Sequence, residues 1–298
     1  MTKKIKNDII LLKKEKGDKN MTREEKIMKR VQEHYDYLQK NGYEIVCLCL
    51  QGSQNYELDE YSNEYQSDID TKAIVLPSFK DFCYGRSPLS TTIVLDNNEH
   101  IDIKDIRIMF ETIKKMNISY IELLYTKFKI INKKYFDLIQ PLFENRDLIS
   151  SANRNQFVRC VAGMSMEKQK ALCHPYPNTM DKIEKYGYDG KQLHHCARLN
   201  EFLYRYYCGV PLQDCFISTK REKLMNYKKQ LTENGMRVML KEEAVALCDF
   251  YNEATKELKD KFISENAEGF DMRVSELLSC IVYNILRRRF KEDVEGDE

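Results

Sequence analysis

The chain of 298 residues is long enough to bury a substantial core in one or two domains. Charged residues make up 32% of it yet cancel to a formal net of +1, which excludes a global basic field and makes any polyanion site a local one. No apolar run approaches the roughly 20 residues that span a bilayer, and the ten cysteines lack CxxC pairs and a secretory leader, so a soluble cytoplasmic protein with no structural metal cluster is expected.

Residues 1–21 begin with the lysine-rich run "MTKKIKNDIILLKKEKGDKN" and read as a basic arm. Thr22 with Glu24 and Glu25 marks a helix start, and Ile27, Met28, Val31, His34, Tyr35 and Leu38 follow at the 3 and 4 spacing of a buried stripe. After the Asn41-Gly42 turn, "IVCLCL" reads as a buried strand. "DIDTKAIVLP" reads as the next, ended by Pro77. "TTIVLD" and "HIDIKDI", separated by "NNE", form a predicted hairpin, and "FKIIN" a last short strand. "DIRIMFETIKKM" and "SYIELLYTK" carry helical spacing. From about residue 150 the strand signal fades, and helices are predicted over 151–173, 189–208, 239–263 and 271–290, ending in an acidic tail. The expected fold class is α+β: a small mixed β-sheet domain with flanking helices over 22–150, then an all-α domain over 151–298.

In "SDIDTKAIVLP" alternate residues share a face, so Asp68, Asp70 and Lys72 project together. Two like charges at the start of an apolar strand resist burial unless a cation sits between them. Two carboxylates suit a hard ion such as magnesium, completed by water and substrate phosphates. Asp102 in "EHIDIKDI" supplies a third acid if the two strands are neighbours, the arrangement of a two-metal in-line displacement. Asp105 competes for that role, but it stands where the strand gives way to a helix and is preferred as an N-cap. Ahead of these acids, Gly52 permits close backbone approach and Ser53 offers hydroxyl and N–H groups to phosphate oxygens. In "YDGKQLHHCARL", Asp189 caps a helix on which Lys191, His195 and Arg198 share one cationic face, with Lys168 and Lys170 as candidates for the same patch.

Gly52-Ser53, Asp68-x-Asp70 and a later strand acid together resemble the signature of the DNA polymerase beta nucleotidyltransferase superfamily. Within it, "QGSQNY", "SDIDTKAIVLP", "DIKDIR", "NISYIELLYT" and "YGYDGKQLHHCARLNEF" look like the RNA-repair-pathway nucleotidyltransferases and related phage proteins, over roughly residues 22–210. The resemblance implies that residues 22–150 form the nucleotidyltransferase domain, with the active cleft facing the helical domain. It implies transfer of a nucleoside monophosphate from an NTP to an acceptor hydroxyl, favouring an RNA 3′ end such as that of a tRNA, with release of pyrophosphate. Asp68, Asp70 and Asp102 would bind two magnesium ions, manganese being the alternative, and Asp102 would activate the acceptor. Gly52, Ser53, Lys191, His195 and Arg198 would bind the nucleotide. Two rival readings are transfer to a protein or small-molecule hydroxyl, and a sensor that binds nucleotide or RNA without turnover. The chain departs from the family pattern in having Glu57 where a glycine usually follows "NY", and in its longer, more acidic loop "ELDEYSNEY".

Overall fold

A computed structural model describes residues 21–60, 67–231 and 235–295. Residues 1–20 of the expected basic arm, 61–66 of the acidic loop and the acidic end of the tail lie outside the described residues. Helix α1 (Arg23–Lys40) starts where Thr22 and Glu25 cap each other, the Glu25 N–H donating to the Thr22 hydroxyl at 3.2 Å and the Thr22 N–H to the Glu25 carboxylate at 2.8 Å. Its buried stripe comprises Ile27, Val31, His34, Tyr35 and Leu38.

Five strands follow: β1 (Ile45–Gln51), β2 (Asp70–Val75), β3 (Ser90–Val94), β4 (His100–Asp105) and β5 (Lys129–Ile131). They form one mixed sheet in the order β3-β4-β2-β1-β5, in which β2 and β4 run parallel and the other pairs antiparallel. The alternation anticipated in the sequence sorts the two faces. Ile69, Ala73, Val75, Ile101 and Ile103 join the apolar cluster beneath α1, whereas Val46, Cys49 and Ile74 belong to a second cluster on the opposite face.

A buried polar chain ties α1 to the strand that carries the two aspartates. His34 Nδ1 lies 2.9 Å from the Thr71 hydroxyl and its Nε2 lies 3.0 Å from Glu99, which also pairs with Arg30 and accepts the Ile69 N–H at 2.9 Å. Ile69 stands between Asp68 and Asp70, so this chain fixes their backbone. Burial pushes His34 from its ordinary 6.5 down to about 4, with Arg30 acting in the same sense and Asp70 opposing. Between those values the unfolded chain binds more protons than the folded one, so stability is full above pH 6.5 and is lost as pH falls toward 4. The expected loss is on the order of 3 kcal/mol. Urea melts at the two ends of that window should show it in the native chain and a flatter profile in His34→Gln.

Helix α2 (Phe79–Cys83) lies between β2 and β3, and beyond β4 come α3 (Ile106–Lys114) and α4 (Ile118–Ile121). The expected continuous helix through "SYIELLYTK" is interrupted. Met116 adopts a positive φ of 58°, Asn117 recaps the chain, and Glu122–Leu124 form a tighter 3-10 turn. The helical half comprises α5 (Phe136–Glu144), α6 (Arg146–Ser150), α7 (Arg154–Ala171), α8 (Met180–Tyr186), α9 (Gly190–Tyr207), α10 (Leu212–Cys215), α11 (Arg221–Lys229), α12 (Lys241–Glu265) and α13 (Met272–Glu295). Helix α9 is central, packing on α7, α11 and α12. Helix α13 returns to the sheet half, where Phe290 meets the rings of Phe79 at 5.4 Å and Phe82 at 5.2 Å. One apolar cluster therefore runs from Ile74 and Phe110 through Phe157 and Leu199 to Leu278.

Cationic side chains hold the described part of the acidic loop. Arg23 Nε holds Asp59 at 2.8 Å, and Lys229 lies 3.0 Å from Glu60. Arg221 donates to the carbonyls of Glu57 at 2.8 Å and Asp59 at 2.7 Å. Glu57, at the position where the resembled family has glycine, adopts a left-handed conformation with φ 58°. Among the described residues no helix is long and apolar enough to cross a membrane.

Candidate active site

At the end of β1 the chain turns sharply at Gly52, whose φ of 94° and ψ of −153° lie in a region essentially reserved for glycine. Ser53–Tyr56 then form a 3-10 turn. Antiparallel pairing of Gln51 with Asp70 brings this turn to the start of β2, where Gly52 faces Asp70 Oδ2 and the Gln54 amide donates to the Asp68 carbonyl. A Cβ at Gly52 would lie 4.0 Å from Asp70 Oδ2, an ordinary contact, so a Gly52→Ala change acts chiefly through the backbone. Its expected cost is about 1–3 kcal/mol in melting experiments, with weakened phosphoanion binding because the turn's N–H groups are re-aimed.

Opposite this edge stands the first half of α9. Asp189 caps it, accepting the Lys191 N–H at 3.1 Å. Gly190 is required by close approach: a Cβ there would run into the Tyr227 carbonyl oxygen of α11. The two elements enclose a cleft of about 470 Å³ lined by Gly52, Ser53, Asp68 and Asp70 on one side and Lys191, His195 and Arg198 on the other. Lys168 of α7 joins this lining as anticipated, whereas Lys170 does not.

The electrostatics favour an anion. Lys168, Lys182, Lys191, Arg198 and Lys228 face three carboxylates, Asp68, Asp70 and Glu122. Arg198 is 6% exposed, lies over the Tyr56 ring at 4.0 Å, and leaves Nε and Nη1 without a hydrogen-bond partner. Burial lowers its proton affinity, with Glu122 opposing. Burial and then Arg198 push His195 well below its ordinary range, and burial takes His194 to about 4, so both rings are neutral near pH 7. Lys228 is likewise pushed down by burial, with Lys191 adding to the effect.

Asp102 does not join this group. The parallel register of β2 and β4 sets His100 beside Asp70 and Asp102 beside Lys72. His100 Nδ1 lies 2.9 Å from Asp70 Oδ1. The Asp102 carboxylate is held by Lys72 Nζ and, at 2.9 Å, by Lys104 Nζ, while Thr92 donates to it at 3.3 Å. Burial alone would raise the Asp102 pKa, but the two ammonium groups outweigh it and hold the carboxyl below its usual range. The expected convergence of three carboxylates is not seen among the described residues, because Asp102 stands with Lys72 and Lys104 outside the cleft lining. Strand parity places Asp102 on the right face, but register gives it lysine neighbours. Among the described residues no three His, Cys, Asp or Glu side chains converge as a metal-ligand group. Asp68 and Asp70 fit one hard cation completed by water and phosphate oxygens; Asp102 in this arrangement does not fit as a further ligand. Asp105 is the N-cap of α3, accepting the Arg107 N–H at 2.9 Å.

Glu122, Lys182 and Lys228 also line the cleft and carry no sequence signal of that role. Lys228 lies in "REKLMNYKK", a segment outside the predicted helices, and Glu122 lies in a run that reads as ordinary helix.

No family model matches the chain, and no curated protein matches it. Among solved structures, it is similar to a nucleotidyltransferase-like protein from Exiguobacterium sibiricum at 10% identity, over 86% of this chain and 89% of that one, with a TM-score of 0.30.

Proposed function

We propose that the protein is a nucleotidyltransferase that moves a nucleoside monophosphate from an NTP to an acceptor hydroxyl. The observation that carries this reading is Arg198, a buried guanidinium with two unpartnered nitrogens in the same cleft as the Gly52-Ser53 turn and the Asp68–Asp70 pair. A charged group left this way costs stability unless a ligand completes it. The cationic wall formed by Lys191, Arg198 and Lys228 matches the charge of a triphosphate, and the opposite acidic pair matches the cation that accompanies it.

In the proposed reaction the acceptor oxygen bonds to the α-phosphorus, the bond from that phosphorus to the β-phosphate bridging oxygen breaks, pyrophosphate leaves, and the acceptor's proton passes to solvent water. Lys191 and Arg198 bind the departing phosphates and offset the charge that builds on them. Neutral His195 donates or accepts a hydrogen bond without adding charge. Asp68 and Asp70 would hold magnesium, which when bound supplies Lewis-acid polarisation of a phosphoryl oxygen. Asp102 acts on the sheet side, as the counter-charge of Lys72.

The acceptor we propose, on the resemblance of residues 22–210, is an RNA 3′ hydroxyl. The test is incubation with magnesium and each labelled NTP in turn, with total cellular RNA and total protein as separate acceptors. Label on RNA that RNase removes is the expected product. Label on protein would move the acceptor to a side-chain hydroxyl, and no label with any NTP would overturn the transferase.

A further inference from the structure

Glu122 is the least expected member of the cleft wall. It opens the 3-10 turn after α4, is 6% exposed, and lines the cleft together with Gly52 and Arg198. Arg198 acts on it electrostatically, yet no ion pair joins the two among the described residues, and Arg198 keeps Nε and Nη1 unpartnered. A carboxyl and a guanidinium thus share one water-poor wall without satisfying each other. The arrangement makes sense if the guanidinium is reserved for something else.

We propose that Glu122 and Arg198 form a proton-linked phosphoanion receptor, in which a phosphoanion enters onto Arg198 and Glu122 takes up a proton as it does so. This rests on the reading that the cleft takes a phosphoanion, but not on its being a transferase. The physical reason is repulsion. An oligophosphate on Arg198 brings several negative charges near a buried carboxylate and cancels the positive charge that had favoured its ionised form. The protonated carboxyl removes that repulsion and can donate a hydrogen bond to the ligand. Glu122 is therefore a positioning and selecting residue, not a catalytic one.

In the ligand-free cleft, burial pushes Glu122 up to about 8, with Arg198 and the Gly52 N–H acting in the opposite sense. A bound phosphoanion raises it further. Binding should then be nearly pH-independent near neutrality, where Glu122 is already protonated. Above about pH 8 the contribution of Glu122 makes affinity fall by up to about tenfold per pH unit, since one carboxyl links at most one proton.

The other groups facing this wall act differently. His194 and His195 of α9 are neutral throughout that range, Asp68 and Asp70 stand across the cleft, and Lys168, Lys182 and Lys191 add positive charge from α7, α8 and α9. Lys228 of α11 is pushed down by burial, so its loss of charge at high pH weakens binding in the same sense. On its other side Glu122 borders a second cavity with Arg23, Glu57, Tyr125, Lys127 and Asp214. A substitution at Glu122 is needed to separate its contribution from these.

The experiment is calorimetric titration of the full chain with inorganic tripolyphosphate in metal-free buffers of different ionisation enthalpy, at about pH 6.5, 8.5 and 9.5. The native chain is expected to take up most of a proton per tripolyphosphate at the middle pH. Glu122→Gln, which mimics the protonated carboxyl, should bind like the native chain at the lowest pH, lose the uptake, and bind about tenfold tighter than it at the highest. Native binding without proton uptake overturns the proposal whatever the variant does. Uptake that is undiminished in a folded Glu122→Gln assigns the proton elsewhere, to Lys228 first, and also overturns it. Absence of tripolyphosphate binding overturns both the receptor and the phosphoanion reading of the cleft. Proton-linked binding by a chain that labels no acceptor leaves the receptor standing and removes the transferase.

Discussion

Asn in place of Asp68 or Asp70 is expected to lower nucleotidyl transfer by about a thousandfold or more while leaving the melting temperature nearly unchanged. Asp70 opens β2 and the exposed Asp68 lies two residues ahead of it, where a like-charge pair stabilises nothing until a cation arrives. Asn preserves size and the bond from His100 to position 70 but removes the charge. Single-turnover labelling, with manganese binding followed by electron spin resonance, should show activity and ion binding lost together. Full activity in the doubly substituted chain would sink the assignment. Asp102→Asn should behave in the opposite way. It strips the counter-charge from Lys72, which is only 4% exposed, and is expected to cost about 1–3 kcal/mol of stability. A melt and a labelling assay on the same three variants therefore distinguish cleft acids from the sheet acid.

The second large effect is expected at Arg198. Arg198→Met should weaken tripolyphosphate binding on the order of a hundredfold or more, since a charge-assisted and bidentate contact is lost. The same change should leave the fold as stable as before, or more so. Nε and Nη1 have no partner, so the native chain bears a desolvation cost that methionine against the Tyr56 ring avoids. A variant that gains stability and loses ligand is the signature of a group retained for binding. If Arg198→Met instead unfolds with binding unimpaired in the folded fraction, the guanidinium is a packing element and the cleft lacks its main anion contact. Arg198→Lys separates charge from shape, because an ammonium cannot reproduce the planar fork.

Several elements were legible because their signals are local. Thr22 and Glu25 announce the start of α1 within four residues, Asp105 and Asp189 act as the caps their positions suggest, and the period of two in "DIDTKAIV" places Ile69 and Ala73 inside. The spacing of Lys191, His195 and Arg198 was enough to put them on one helical face, and that face does line the cleft. The break at Met116 was not legible, because nothing in the residue type foretells a positive φ there.

By itself, the sequence determined the α+β class, the two-faced sheet, the glycine turn ahead of two aspartates and the cationic face of α9, all of which follow from periodicity, capping and backbone freedom over a few neighbouring residues. Only the tertiary structure decided that Asp102 pairs with lysines, that Arg198 is buried without partners, and that Glu122 and Lys228 belong to the cleft. Those outcomes depend on strand register and on which helices pack together. Register and packing are fixed by the balance of burial over the whole chain, which no short stretch encodes.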